Sequence, residues 1–224
     1  MSAQHPMTYA AFVARATDDP DVVGLVLKGS HAHDGMATRH SDHDLYVVPA
    51  DSAGTGLAGL DGFRSAGLDL VVVTVAEFRR LGGFERYALA RARVVLDRLD
   101  GGVAEMVAAK GRLDTGEASR VAAEWLDAYA NSLYRSVKNA RDGHPRAARL
   151  DAGDSIGFLL ELLFALERRP RPYNKYLEWE LERLTGDADV QRELFGRVET
   201  AARAAGHAAV LDAWAEDLGL MRLT

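Results

Sequence analysis

Residues 26–48 read VLKGSHAHDGMATRHSDHDLYVV, and this stretch decides how the first half of the chain is expected to fold. An apolar strand ends on Gly-Ser, a polar loop follows, and the next apolar strand opens with Asp42-His43-Asp44. Alternate side chains of an extended strand share a face, so Asp42 and Asp44 are predicted to point the same way. Like charges on one face repel each other. A hard divalent cation such as Mg²⁺, which prefers oxygen ligands, would offset that repulsion.

A third carboxylate lies inside another apolar run, Gly67-Leu-Asp-Leu-Val-Val-Val73. Burying an isolated charge is expensive, and the usual remedies are an ion pair, a metal ion or protonation. If this strand lies beside the Asp-x-Asp strand, Asp69 faces the same cation. We therefore expect Asp42, Asp44 and Asp69 to form one acidic cluster able to hold one or two metal ions.

Gly29-Ser30 ends the strand that precedes the loop. Glycine lets the backbone turn sharply and approach a ligand closely. The following amide groups and the serine hydroxyl could then bind phosphate oxygens. The spacing of a Walker loop is absent. Gly-Ser alone is a weak signal, whereas Gly-Ser followed by Asp-x-Asp and a third strand aspartate is a much stronger one.

The wider pattern predicts an α+β chain in two parts. Apolar, β-branched runs over residues 22–27, 45–48, 68–75 and 94–96 alternate with helical spacing over 9–16, 76–81 and 84–92, which is typical of a sheet with flanking helices. From 103 onward the spacing is helical, over 103–110, 117–141, 155–167, 173–184, 190–205 and 208–218, which predicts a C-terminal helical bundle. We place the domains at 1–113 and 114–224.

Composition limits the function classes. The 224 residues carry a net charge of −6 and no cysteine, which excludes disulfides and thiolate metal sites. Neither half is a basic arm, so an extended nucleic-acid surface is not expected. The apolar runs are too short to span a bilayer, and the first residues, MSAQHPMTYA, lack the charged-then-apolar layout of a signal peptide. We expect a cytoplasmic protein without membrane contact.

The Gly29-Ser30, Asp42-His43-Asp44 and Asp69 pattern resembles the nucleotidyltransferase fold of the DNA polymerase beta superfamily. Its layout is similar to the small bacterial aminoglycoside and lincosamide nucleotidyltransferases, which join such a domain, built on a mixed β-sheet, to a C-terminal helical domain. The resemblance implies transfer of a nucleoside monophosphate from a nucleoside triphosphate to an acceptor hydroxyl.

The resemblance also implies the site residues and co-substrates. Asp42 and Asp44 would bind Mg²⁺, with Mn²⁺ as the alternative, and Asp69 would be the third ligand or the base that takes the acceptor proton. Gly29 and Ser30 would bind the triphosphate, with ATP as the expected donor. The expected acceptor is a small molecule, aminoglycoside-like in the most specific form of the prediction, and a homodimer is left open.

Three residues of the helical part are further candidates. Lys138 belongs to a dense basic patch and is predicted to contact the triphosphate or pyrophosphate; a solvated helix flank explains it equally well. Glu161 stands in the apolar run FLLELLF and is predicted to orient the acceptor or to act as the general base, with a structural ion pair to an Arg or Lys as the alternative. Lys175, in RPRPYNKYLEWE, is predicted to line the acceptor pocket.

Other functions remain open at this point. An antitoxin-like or nucleotide-binding interaction module would use the helical part as a partner surface, and a related enzyme would nucleotidylate a protein or RNA. A zinc or manganese hydrolase is a rival because histidine with carboxylate is a transition-metal ligand set. The four histidines concerned are His31, His33, His40 and His43.

Overall fold

The structure is a computed structural model, and it describes residues 7–52 and 54–184. The chain forms two compact units, of which the first ends at Arg112 and the second begins at Leu113. The helices predicted over 190–205 and 208–218 lie outside the described residues.

A four-stranded mixed sheet forms the centre of the first unit, with strand order β3-β2-β1-β4. β1 is antiparallel to both of its neighbours, while β2 and β3 are parallel. This confirms the α+β class expected from the sequence. The strands are β1 (Val22–Lys28), β2 (His43–Pro49), β3 (Leu68–Val72) and β4 (Arg93–Asp97).

Seven α-helices are present in the described part of the chain, four in the first unit and three in the second. They are α1 (Tyr9–Asp18), α2 (Val75–Arg80), α3 (Phe84–Leu89), α4 (Gly102–Lys110), α5 (Thr115–Arg141), α6 (Pro145–Leu166) and α7 (Leu177–Leu184). No helix in residues 7–52 and 54–184 is long and apolar enough to cross a membrane.

The sheet is buried on both faces because its strands alternate two sets of apolar side chains. Leu45 and Val47 of β2 pack with Phe12 of α1 in one core cluster. Tyr46 and Val48 belong to a second cluster, which also contains residues of α2, α3 and α4. Successive strand side chains point to opposite faces, so the residue two before Tyr46 lies on the face covered by α2–α4. That residue is Asp44.

β3 ends at Val72, earlier than the predicted 68–75, because a helix start follows at once. The Thr74 side chain accepts a hydrogen bond from the Glu77 amide, and the Glu77 carboxylate accepts one from the Thr74 amide. This capping box satisfies two backbone donors at the helix N-terminus. The T-x-x-E spacing at 74–77 is a signal that the strand prediction overlooked.

The described part of the second unit is a long helical hairpin of α5 and α6, followed by a turn of 3₁₀ helix and α7. α6 begins at Pro145, ten residues before the predicted start at 155. Proline at the first helical position is pre-organised for a helix. The extra turns are joined to α5 by hydrogen bonds from Ser136 Oγ to the Ala148 carbonyl and from Asn139 to Asp151. The helix predicted from 173 starts as the 3₁₀ turn at Asn174 and becomes α7 at Leu177.

The C-terminus of α4 is capped from α3 by one side chain, that of Arg86. Its guanidinium donates hydrogen bonds to the carbonyls of Lys110, at 2.8 Å, and Arg112, at 2.6 Å. Carbonyls in the last turn of a helix have no intrahelical partner, and a cation there also meets the negative end of the helix dipole. Arg86 therefore joins α3 to the end of α4.

We expect Arg86→Ala to lower the free energy of unfolding by about 2 kcal/mol, because charged hydrogen bonds to carbonyls are lost. Arg86→Lys should recover part of the loss, since it keeps the charge without the planar fork. Arg80→Ala, at an exposed position of α2, is the control and should change the value by less than about 0.5 kcal/mol. Urea denaturation measures all three variants; equal effects of the two alanine substitutions would contradict the capping role.

Candidate functional site

Four charged residues form one row across the sheet face that α2–α4 cover. Lys28 of β1 is the register partner of Asp44 on β2, and Asp44 is the register partner of Asp69 on β3. Asp69 in turn pairs across an isolated antiparallel bridge with Arg64. Residues paired in register lie on the same face of a sheet. The order of charges along the row is positive, negative, negative, positive.

The Asp44 carboxylate occupies space that only a glycine leaves at position 29. Gly29 has φ +71°, and a Cβ built on it would come closer than 3.0 Å to Asp44 Oδ2, a separation that real Cβ atoms do not show. Any side chain at this position would meet both a strained backbone conformation and a carboxylate oxygen. The glycine of the Gly-Ser pair is therefore explained by the aspartate that it contacts.

Asp69 has one carboxylate oxygen engaged and one without a partner. Oδ2 lies 3.4 Å from Arg64 Nε, whereas Oδ1 is buried and accepts no hydrogen bond. A buried acceptor without a partner is costly in a folded protein. Magnesium commonly takes one or two protein carboxylates and completes its shell with water and phosphate oxygens. Asp44 and the unpartnered Oδ1 of Asp69 offer the carboxylate oxygens that such an ion prefers as ligands.

Asp42 precedes β2 and is half-buried. Within residues 7–52 and 54–184, no three His, Asp or Glu side chains are arranged so that they could hold a metal ion. The structure thus pairs two of the three predicted carboxylates, Asp44 and Asp69. A part for Asp42 in a metal site stays a prediction.

Lys28 contributes a second set of polar contacts on the same face. Its ammonium lies 3.7 Å from Glu85 Oε2 of α3 and 5.1 Å from the centre of the Tyr46 ring. The Tyr46 hydroxyl, on a side chain that is almost wholly buried, donates to the same Glu85 oxygen. These contacts attach α3 to the charged end of β1 and β2.

Ser30, the other predicted phosphate contact, is buried, with 5% of its surface exposed. Its hydroxyl donates to Ser41 Oγ at 3.0 Å, and Ser41 Oγ accepts a second bond from the Thr38 amide at 2.9 Å. The serine therefore ties the two ends of the loop together. To contact a phosphate, its hydroxyl would have to exchange this bond.

The loop histidines make contacts within the protein. His33 is buried, and its Nδ1 lies 3.0 Å from the Gly29 carbonyl. The His43 ring stacks between the rings of Tyr9, at 4.1 Å, and His31, at 3.8 Å. Burial, followed by the neighbouring His31, lowers the pKa of His43, so its neutral form is favoured. His40 Nε2 lies 2.9 Å from Arg39 Nε.

The candidates in the second unit have partners of a different kind. Glu161 forms an ion pair with Arg171 at 3.5 Å, with side-chain exposures of 14% and 20%. Lys175 is exposed, with its ammonium 5.5 Å from the centre of the Tyr176 ring. Lys138 is exposed on α5. Glu161 thus matches the ion-pair alternative, while roles for all three residues in substrate binding stay predictions.

The sequence prediction missed Lys28 and Arg64. For Arg64 a usable signal exists: the stretch Ser65-Ala-Gly67 is a turn sequence that places residue 64 opposite residue 69. Ser65 Oγ accepts hydrogen bonds from the amides of Gly67 and Leu68, which closes that turn. For Lys28 the signal would have been its position next to Gly29 at a strand end.

Comparisons with known proteins add little. No protein-family model matches the sequence, and no curated protein matches it. Among solved structures, the chain is similar to a nucleotidyltransferase-like protein from Exiguobacterium sibiricum 255-15, with 14% identity, a TM-score of 0.42, and coverage of 93% of this chain and 74% of that chain. A likeness of this size says nothing about substrate or metal.

We expect Gly29→Ala to destabilise the protein by roughly 2 kcal/mol or more, because the strain of a positive φ adds to a clash with Asp44. Gly35→Ala is the matched control: its φ is +77°, and a Cβ there meets nothing within 4 Å. That variant should lose only about 1 kcal/mol. Chemical denaturation compares the two; equal losses would show that Asp44 does not require the glycine.

The Glu161–Arg171 pair can be tested by a double-mutant cycle. Glu161→Gln should lower the free energy of unfolding by about 2 kcal/mol, because it leaves the partly buried guanidinium without its counterion. Arg171→Gln should have a similar effect, and the double variant should lose less than the sum by at least about 0.5 kcal/mol. Strict additivity would show that Glu161 and Arg171 do not stabilise each other, and it would favour the hypothesis that Glu161 binds substrate.

Proposed function

We propose that this protein is a magnesium-dependent nucleotidyltransferase that moves a nucleoside monophosphate from a nucleoside triphosphate, most simply ATP, to the hydroxyl of a small-molecule acceptor. The observation that carries the proposal is the pairing of Asp44 with Asp69 in register, with a buried Asp69 oxygen that lacks a partner. The donor set suits Mg²⁺, with Mn²⁺ as its usual substitute. The most specific acceptor class that we propose is an aminoglycoside-like antibiotic.

The reaction is an in-line displacement. The acceptor oxygen forms a bond to the α-phosphorus, the bond from that phosphorus to the bridging oxygen breaks, and pyrophosphate leaves with the bonding electrons. A bound divalent ion would supply stabilisation of the charge that develops on the attacking and leaving oxygens.

The residues of the chain have separate tasks in this scheme. Asp44, whose carboxylate lies against Gly29, would be one ligand of the ion, and Asp42 is proposed as a second ligand. Asp69 offers its unpartnered oxygen either as a ligand or as the acceptor of the proton from the attacking hydroxyl. Gly29 and Ser30 are proposed to meet the triphosphate.

The second unit is proposed to supply the remaining contacts. Lys138 would bind the triphosphate or the leaving pyrophosphate, and Lys175 would contact the acceptor. Glu161 would reach the acceptor only by giving up part of its contact with Arg171.

The proposal predicts that Asp44→Asn and Asp69→Asn each lower the rate of pyrophosphate release by roughly a hundredfold or more, because charge stabilisation in the transition state is lost. The control is Asp18→Asn, which removes the same charge from an exposed position at the end of α1 and should leave the rate unchanged. The assay supplies each triphosphate in turn with Mg²⁺ and a panel of hydroxyl-bearing acceptors that includes aminoglycosides.

Full activity of either site variant would overturn the assignment. Transfer of radiolabel to protein or RNA in cell extract would show that the acceptor is a macromolecule and not a small molecule. No turnover with any triphosphate or extract, together with co-purification of a stoichiometric protein partner, would favour an interaction module.

A further inference from the structure

Arg64 is held opposite Asp69 by the backbone on both sides. The Ser65 amide donates to the Leu68 carbonyl at 2.9 Å, and the Leu70 amide donates to the Phe63 carbonyl at 2.9 Å. The chain therefore returns along the edge of β3 as a short antiparallel ribbon. This ribbon fixes where the Arg64 side chain starts, next to Asp69 and on the same face.

The two side chains of the Arg64–Asp69 ion pair differ in their exposure to solvent. The Asp69 side chain is 24% exposed and stands on a strand, whereas the Arg64 side chain is 80% exposed. An ion pair with one such exposed member contributes little to stability, since water screens it and the long side chain loses conformational freedom. Arg64 can therefore leave Asp69 at low cost when a stronger cation arrives.

A divalent ion would be that stronger cation. It would bring two positive charges to Asp44 and Asp69, where Arg64 brings one, and its own charge would repel the guanidinium. Arg64 contacts Oδ2 of Asp69 and the ion would use the unpartnered Oδ1, so the two cations would share the single negative charge of one carboxylate.

We propose that Arg64 is a positioning residue of the candidate site: it is the counterion of Asp69 in the metal-free protein and competes with the divalent ion for that carboxylate. This inference rests on the proposed function, because it assumes that Asp44 and Asp69 bind a metal ion. It predicts that Arg64 keeps the carboxylate pair stable before metal binding and weakens the affinity for metal.

The test is a titration of the full chain with Mn²⁺ in the absence of nucleotide, with free Mn²⁺ measured by electron paramagnetic resonance. Arg64→Gln and Arg64→Met should each bind Mn²⁺ about two- to fivefold more tightly than the wild type, which corresponds to the loss of one exposed ion pair. Arg64→Lys keeps the charge and should stay close to the wild type. Arg80→Gln removes the same charge from an exposed position on α2 and is the matched control.

A stability measurement gives a second readout that does not depend on turnover. In chelator, Arg64→Gln should melt at a lower temperature than Arg64→Lys, because the two carboxylates then repel each other with less compensation. Saturating Mn²⁺ should raise the melting temperature of Arg64→Gln by more than that of the wild type.

The outcomes separate the inference from the proposed function. If the wild type binds Mn²⁺, Asp44→Asn abolishes binding, and the neutral Arg64 variants bind no more tightly than Arg80→Gln, the competition is refuted while the metal site stands. If the wild type binds no Mn²⁺ with or without ATP, both the inference and the metal-dependent function are overturned. Tighter binding by both neutral variants, with Arg64→Lys unchanged, supports the inference.

Discussion

The parallel register between β2 and β3 is the constraint on which the rest of the first unit depends, because it sets Asp44 directly beside Asp69. Side chains alternate between the two faces of a strand, so a slip of one residue would move Asp69 to the opposite face. There it would replace Leu68 or Leu70, both fully buried, in the cluster that packs on α1. Burying a lone carboxylate among those side chains would cost several kcal/mol. The apolar core on one face thus holds the charged row in place on the other.

Two features then make the paired carboxylates tolerable. Gly29 leaves the volume that the Asp44 carboxylate occupies, and cations stand at both ends of the row, Lys28 on β1 and Arg64 beside β3. The helix or strand propensity of Lys28 and Arg64 does not explain the position of either cation. Lys28 follows from the register of β1 with β2, and Arg64 follows from the turn that Ser65 closes. The site is therefore a product of strand pairing more than of any local motif.

Because the site depends on strand pairing, only part of it could be predicted from the sequence. Apolar, β-branched runs located all four strands to within a few residues, because this signal is local. The alternation of side chains along a strand, which is also local, assigned the aspartates to one face of the sheet. Which strands pair, and in which register, is set by tertiary packing. The sequence could therefore place Asp69 beside Asp44 only on the assumption that their two strands are neighbours.

The T-x-x-E start of α2 was a local signal and could have been found. The start of α6 at Pro145 was harder to predict, because Gly153 weakens the helical pattern before residue 155, and packing against α5 offsets that cost. Likewise, helical periodicity could mark Glu161 as unusual but could not identify Arg171, which lies beyond the end of α6, as its partner.

The carboxylates of the two units have different surroundings, and this difference separates a structural carboxylate from a candidate ligand. In the second unit, Glu161 forms an ion pair with Arg171 and Glu180 forms one with Arg169. In the first unit, Asp44 and Asp69 are neighbours in register, with Lys28 and Arg64 at the two ends of the row. The unpartnered oxygen also belongs to this row, on Asp69. Arg171 Nε is also buried without a hydrogen-bond partner, but it is a donor on a cation, so it calls for an acceptor and not for a metal ion. A buried carboxylate oxygen without a partner, next to a second carboxylate, is a condition under which a cation is stabilised. Within the described residues, that condition is met beside Asp69 and not at these two ion pairs of the second unit.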